Sequence, residues 1–355
     1  MIQTYFSELV LNAAAVSVVD ILFAHTFHPP DFFVKAGVLL RSYIIGKNDA
    51  GQRLDKFLRK AAPQLPASLI YKGIRQKDIK INKKRCQPGD KLEEGDTVSL
   101  YLPKELFEPK THPNLTAPAD LAVVYEDEHI LLVNKPQGLL CHEGERPGPD
   151  TLISQIQRYL YQSGAWNPEE ENSFTPALCN RIDRNTSGIV IAAKSFAALT
   201  MISEKLRHRE ITKLYLCIVH GVPEKKAGLL KGYLNKDESA KKVQIAREPF
   251  PGAKTALTKY RVLSSSEGKS LVEAELLTGR THQIRAQLAA AGYPLWGDAK
   301  YGGSRENKIL GNKQALCAYK IIFNFTTPAG PLDYLSRKSF EIKAPFAEYF
   351  PGHYP

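Results

Sequence analysis

Five small apolar residues, Ile189-Val190-Ile191-Ala192-Ala193, follow directly on the polar, doubly basic stretch Asn180-Arg181-Ile182-Asp183-Arg184-Asn185-Thr186-Ser187-Gly188. A short unbroken apolar run bounded by turn residues reads as a buried strand. A buried strand needs a sheet around it, so a charged loop is delivered onto a sheet rim. Thr186, Ser187 and Gly188 supply the turn chemistry, and Gly188 can take positive φ.

The loop holds one carboxylate, Asp183, between two guanidinium groups, Arg181 and Arg184. Flanking cations favour the ionised form at neutral pH. An ionised carboxylate suits a nucleophile or a base rather than a general acid. A salt-bridge knot closing a surface loop uses the same residues, and local chemistry leaves both readings open.

The chain around this loop reads as hairpins interleaved with helices. Residues 121–125 and 130–134 form an expected hairpin, and 151–161 an expected helix. After the loop, Ser195 caps a helix through Leu206. Residues 212–219 alternate as a strand with Leu214, Leu216 and Ile218 on one face and Tyr215 on the other. Hairpins or loops are expected over 232–258, and strands over 258–263, 271–277 and 315–323. Thr281 is the expected cap of a helix carrying His282 and Arg285 on one face. The sum is an α+β domain with an extended, mixed, mostly antiparallel sheet.

Charge separates a second region. The 355 residues carry a net +11. From Arg53 to Lys91 there are 12 Lys or Arg against three Asp, a local +9, so the rest of the chain holds only +2. Concentrated charge of this kind marks a binding face for a polyanion. Residues 53–60 and 68–75 read as short helices, 78–82 as a strand, Lys83-Lys84-Arg85 as a loop and 97–101 as a closing strand. This region resembles the S-four-like RNA-binding domain, and the resemblance makes Arg53, Lys56, Lys72, Arg75, Lys83, Lys84 and Arg85 the candidate RNA-binding cations.

The expected organisation is an N-terminal extension over 1–40, the basic module over 41–102, a proline-containing linker over 103–119 and a larger domain over 120–355. The apolar run within 1–40 is interrupted by Asn12 and Asp20 and is short for a membrane span. No membrane partner is expected. The five scattered cysteines include no Cys-x-x-Cys pair, which fits free thiols in a reducing cytoplasm. No strong metal or dinucleotide motif is present.

The loop nonapeptide resembles His-Arg-Leu-Asp-x-x-Thr-Ser-Gly of the RluA family of pseudouridine synthases. Thr278-Gly279-Arg280-Thr281-His282-Gln283-Ile284-Arg285 matches the family's second hallmark, and Asn134-Lys135-Pro136-Gln137-Gly138-Leu139 with His142 a third. The three motifs fall in the family's order between Leu121 and Lys320. The resemblance implies the family's sheet with a cleft across its middle. It also implies an RNA pseudouridine synthase: the uracil–ribose bond breaks, the base rotates and rejoins through carbon, and no cofactor or metal is needed. Asp183 is then the essential carboxylate, acting at the anomeric carbon as nucleophile or at the neighbouring ribose carbon as base. Arg181 fills the place of the flipped base, Tyr215 stacks on the uracil, Arg285 pairs with the carboxylate and Ile284 lines the pocket. Base extrusion is required, because the glycosidic bond is out of reach in a stack. Within the family such a basic module accompanies enzymes acting on ribosomal RNA, so large-subunit ribosomal RNA is the expected substrate; a monomer is expected. A transfer RNA substrate and a non-catalytic RNA-binding or ribosome-assembly factor on the same scaffold are the alternatives. Asn180, Ile182, Gln287 and Tyr293 depart from the family's usual His, Leu, His and His.

Overall fold

The computed structural model describes residues 38–103, 106, 115–117, 119–143, 150–237, 242–302 and 313–350. The apolar run near the N-terminus and the linker's Pro109, Pro113 and Pro118 lie outside the described residues. Two compact units divide between Lys110 and Thr111.

Among its described residues, the first unit is an antiparallel sheet of four strands with two helices. β1 (Val38–Ile44), β2 (Ile79–Ile81), β3 (Lys84–Arg85) and β4 (Thr97–Pro103) lie in the order β1-β4-β2-β3. β1 starts three residues inside the expected N-terminal extension. Helix α1 (Leu54–Ala61) buries Leu54, Phe57, Leu58 and Ala61, and leaves Lys56, Arg59 and Lys60 in solvent. That is the apolar stripe of an amphipathic helix. Helix α2 (Ala67–Gln76) buries Ile70, Gly73 and Ile74. Gly73 is small for a reason: a Cβ there would lie 3.0 Å from the Ile79 side chain.

Lys84 and Arg85 belong to a strand, not to the expected loop. Asn82 and Lys83 both take positive φ, 50° and 63°, and turn β2 into β3 in two residues. Paired left-handed residues match the twist of a tight hairpin. The hairpin tip displays Lys83, Lys84 and Arg85, all exposed.

The second unit is built on an 11-stranded sheet. Its strands are β5 (Val123–Glu126), β6 (Ile130–Lys135), β7 (Ala177–Leu178), β8 (Ser187–Ala193), β9 (Ile211–His220), β10 (Ala227–Asp237), β11 (Lys242–Ala246), β12 (Lys254–Ser266), β13 (Lys269–Leu276), β14 (Leu316–Phe323) and β15 (Ser339–Glu341). The main order is β11-β10-β12-β13-β9-β14-β8-β6-β5, with β7 on β8 and β15 on β14. Every pairing is antiparallel except β8 with β14. The architecture is therefore α+β with a mixed, mostly antiparallel sheet.

The apolar run sits at the centre. All seven residues of β8 are buried. On one face Val190 and Ala192 join Tyr215, Cys217 and Val219 of β9. Helix α3 (Leu152–Gln162) and helix α5 (Gln283–Ala290) cover that face with Leu152, Ile156, Leu160, Ile284 and Leu288. On the other, Ile189 and Ile191 pack with Ala198 and Ile202 of helix α4 (Phe196–Arg207). Leu216 and Ile218 belong to a separate cluster with Trp296 and Phe346, so β9 alternates as its sequence predicts. Thr151 caps α3 through a capping box with Ser154, and the Ser195 Oγ caps α4 by accepting from the Ala198 N–H.

Candidate active site

The segment between β7 and β8 is pinned from three sides. Asn180 Oδ1 accepts the Ile191 N–H at 2.8 Å, tying the loop to the strand it feeds. The Asp183 carbonyl accepts the Thr186 N–H at 3.0 Å, which tightens the turn. Arg184 exchanges two bonds with Gly138: its carbonyl accepts the Gly138 N–H at 2.8 Å, and its Nε donates to the Gly138 carbonyl at 2.9 Å.

Lys135 completes the pinning. Its ammonium is fully buried and donates to the carbonyls of Pro136, Leu139 and Arg184 at 2.9, 2.8 and 3.0 Å. Burial pushes its pKa down to about 8, with Asp183 among the charges that oppose the fall. One lysine thus joins the Asn134–Leu139 turn to the Asp183 loop. Gly188, at φ 123°, lets β8 lie against β14, where a Cβ would come within 2.4 Å of the Ala318 carbonyl oxygen.

Asp183 is not held by the arginines beside it. Arg184 is spent on Gly138, and Arg181 is exposed. The bond comes from 102 residues downstream: Arg285 Nη1 donates to Asp183 Oδ2 at 3.0 Å. Arg285 is oriented in turn by Asp298, which is 1% exposed and accepts from Nε at 2.7 Å and Nη2 at 2.9 Å. The Tyr301 ring lies 5.2 Å from the same guanidinium carbon. A planar cation gripped at both ends and covered on a face is well fixed.

His282 is the second neighbour. Its Nε2 lies 3.8 Å from Asp183 Oδ2, and its Nδ1 shares a hydrogen bond with the Tyr301 hydroxyl at 2.8 Å. Burial holds the imidazole pKa below its ordinary range, against the pull of Asp183. His282, rather than Thr281, precedes α5 as the helix cap, in the left-handed region at φ 53°. Its side chain makes no cap bond; the Gln283 side chain accepts the Arg280 N–H instead, at 3.1 Å. Histidine is among the residues that take this uncommon conformation more readily than most.

Asp183, His282 and Arg285 line a cleft of about 520 Å³. The structure brings together Asp183, Arg181, Tyr215, Ile284 and Arg285 around it, with His142 and His282. Tyr215 is 5% and Ile284 3% exposed, so the inner wall is apolar and one wall is a ring. Burial pushes the Tyr215 phenol strongly upward, which keeps it neutral. The Asp183 side chain is 25% exposed, so its carboxylate reaches the cleft while staying bonded to Arg285. Such a site suits a flat, uncharged ring beside one carboxylate. Among the described residues no group of three His, Cys, Asp or Glu could hold a metal ion, and no helix is long and apolar enough to cross a membrane.

The seven candidate RNA-binding cations lie in the first unit, outside this cleft, and each is exposed. Arg53 is partly occupied: it holds Asp55 through Nε and Nη2 at 3.1 and 2.9 Å. Sequence reasoning missed Asp298 and Tyr301. Asp298 is a lone acid in a turn-rich segment, 13 residues from the arginine it orients, and no periodicity marks it.

A family profile described as RNA pseudouridylate synthase matches residues 129–290, and a profile for the S4 domain matches residues 52–98. The chain is 36% identical over 275 residues to the protein named ribosomal large subunit pseudouridine synthase C from Escherichia coli K12, covering 75% of this chain and 81% of that one. It is 32% identical over 313 residues to the protein of the same name from Vibrio vulnificus, covering 86% and 92%. Among solved structures, human RNA pseudouridylate synthase domain containing 4 superposes with a TM-score of 0.50 at 23% identity, over 63% of this chain and 88% of that one. That last likeness is one of fold.

Proposed function

The chain belongs to the RNA pseudouridylate synthase family, and from that membership we propose that it converts uridines of large-subunit ribosomal RNA to pseudouridine, with Asp183 as the catalytic carboxylate. The observation that carries the reading is the Asp183–Arg285 ion pair at a cleft whose wall is Tyr215 and Ile284. The names of its curated relatives support the ribosomal substrate.

The uridine enters extruded from its stack, and its uracil lies against Tyr215. Base–aromatic stacking contributes about 1–3 kcal/mol. Arg181, exposed at the cleft mouth, fills the space the base has left. Asp183 then works on the ribose, either by attacking the anomeric carbon or by removing a proton from its neighbour. In both routes the carbon–nitrogen bond breaks and the uracil turns within the cleft. Carbon 5 then bonds to the anomeric carbon, displacing the carboxylate in the first route or with return of the ribose proton in the second, and the proton lost from carbon 5 is balanced by one gained at N1. Arg285 keeps the carboxylate aimed, and Asp298 keeps Arg285 aimed. The two expected domains, 41–102 and 120–355, divide the labour. The first grips RNA through Lys56, Lys72, Arg75, Lys83, Lys84 and Arg85, with Arg53 a partial contributor. The enzyme works without cofactor, as a monomer in the cytoplasm.

The test uses ribosomal RNA labelled with tritium at uridine carbon 5. Wild type is expected to release tritium and Asp183→Asn to release none, while RNA affinity changes less than about threefold, since one buried-edge contact carries little of a polyelectrolyte affinity. Equal release by both proteins overturns the assignment of Asp183. Pseudouridine maps of ribosomal and transfer RNA from cells with and without the gene identify the substrate.

A further inference from the structure

Beside the cleft lies a second cavity of about 310 Å³. The two share Lys213, Leu276 and Arg280 in their walls, so they adjoin. Its charged lining is Arg207, Arg209, Lys213, Arg280 and Glu275. Among the described residues Glu275 is the sole acid of that lining, and it is paired with Lys259, whose Nζ lies 3.3 Å away. The basin is thus strongly cationic, in a unit that itself carries +6 of the chain's net +11.

Lys213 is the informative member. It stands two residues before Tyr215 on β9 and so shares its sheet face. It borders both cavities. Lys213 is half-buried, and burial lowers its pKa. A partly desolvated ammonium gains from an anion beside it. The other cations are set around it by the backbone. Arg207 ends α4, and Arg209 is held at φ 61° in the turn into β9. Arg280 is anchored through Nε on the Thr255 carbonyl at 3.2 Å.

A uridine lodged in the cleft keeps both of its phosphodiester links, and these must leave at the rim. We propose that Lys213, with Arg207, Arg209 and Arg280, seats an RNA backbone phosphate directly flanking the extruded uridine. This rests on the proposed reading of the cleft as a uridine site. The seat places the target strand by charge on the catalytic unit itself, independently of the basic module.

The test pairs protein variants with chemically altered RNA. Short target RNAs carry a neutral methylphosphonate at one or the other linkage flanking the uridine. Affinity and tritium release are measured for wild type, Lys213→Met, Lys213→Arg, and the exposed double substitution Arg207→Ala with Arg209→Ala. With ordinary RNA, Lys213→Met is expected to raise KM at least tenfold, and Lys213→Arg to restore most of the loss. With the methylphosphonate at one of the two linkages, wild type weakens by a similar factor and Lys213→Met weakens no further, the non-additivity expected of two groups in contact. Losses that multiply at both linkages overturn the seat. So does unchanged binding by both Lys213→Met and the double arginine variant. Binding is read separately from tritium release, so failure of the Asp183 assignment would leave this outcome legible.

Discussion

Asp298 does not line the cleft, yet the geometry makes it the residue on which the carboxylate's partner depends. It holds both the Nε and Nη2 of Arg285 from a site 1% exposed. Removing one partner of a buried pair costs about 3–5 kcal/mol, because the remaining charge is stranded. Asp298→Ala should therefore lower the unfolding free energy by roughly that amount and cut tritium release at least ~10-fold, as loss of an orienting partner does elsewhere. Asp298→Asn, which keeps one acceptor, should fall between. A normal melt with normal release from Asp298→Ala would show that Arg285 needs no such support. His282 gives a pH signature. Its folded pKa lies below the unfolded value of 6.5 because burial disfavours the imidazolium. As pH falls through 6.5 the unfolded chain takes up the proton first. The stability associated with the neutral ring is thus full above 6.5 and is lost on the way down to the folded pKa. Between pH 7.5 and 5, wild type should lose more unfolding free energy than His282→Gln; parallel curves would deny the buried neutral ring. The five site residues expected from motif resemblance all reach the cleft. Local charge misled where it paired Asp183 with Arg181 and Arg184, because neighbours in a loop are directed by the loop's own bonds. The actual partner is brought by the fold, and Asp298 lies a further step outside any local pattern.

At the level of elements, β8 was the most legible, since residues buried on two faces leave an unbroken apolar run. Its parallel neighbour β14 reads as a strand too, but nothing local says that the two pair. That pairing is closest at Gly188, opposite Ala318. A methyl at Gly188 would meet the Ala318 oxygen, nitrogen and carbon at 2.4, 2.5 and 2.7 Å. Backbone atoms of a central strand cannot step aside as a side-chain tip can. Gly188→Ala adds strain at positive φ to overpacking, each costing about 1–3 kcal/mol. It should lower unfolding free energy by several times thermal energy, or block soluble expression. A variant melting within about 2 °C of wild type would mean that β8 and β14 can separate. β1 escaped the sequence reading for the opposite reason: Arg41 and Ser42 interrupt its apolar pattern, and as an edge strand it need bury only part of its length. The two-residue strand Lys84–Arg85 is wholly exposed, and its composition reads as loop. Its pairing follows from positive φ at Asn82 and Lys83, which carry no glycine signal.

At the scale of the whole molecule, the proposed reading assigns RNA gripping and catalysis to different units, so each should be removable without the other. Residues 53–91 hold a local +9, while Asp183 lies in the second unit, which carries a net +6 spread over a longer stretch. Lys83, Lys84 and Arg85 project from a hairpin tip and are exposed, so replacing them touches little of the core. Lys83→Asn suits the left-handed backbone at that position, since Asn tolerates it well. Combined with Lys84→Gln and Arg85→Gln, it removes three cations and should leave the melting temperature nearly unchanged. Each phosphate contact contributes about 0.7–0.9 to the slope of log affinity against log salt. If all three cations meet phosphates, the slope for ribosomal RNA should therefore fall by about 2–3, with most of the lost affinity seen at low salt. Tritium release at saturating RNA should persist, because none of the three lines the cleft. This is the reverse of the Asp183→Asn pattern, in which binding persists and release stops. An unchanged salt slope would mean that the concentrated charge is a solvated surface, and the gripping of RNA would then have to come from the catalytic unit.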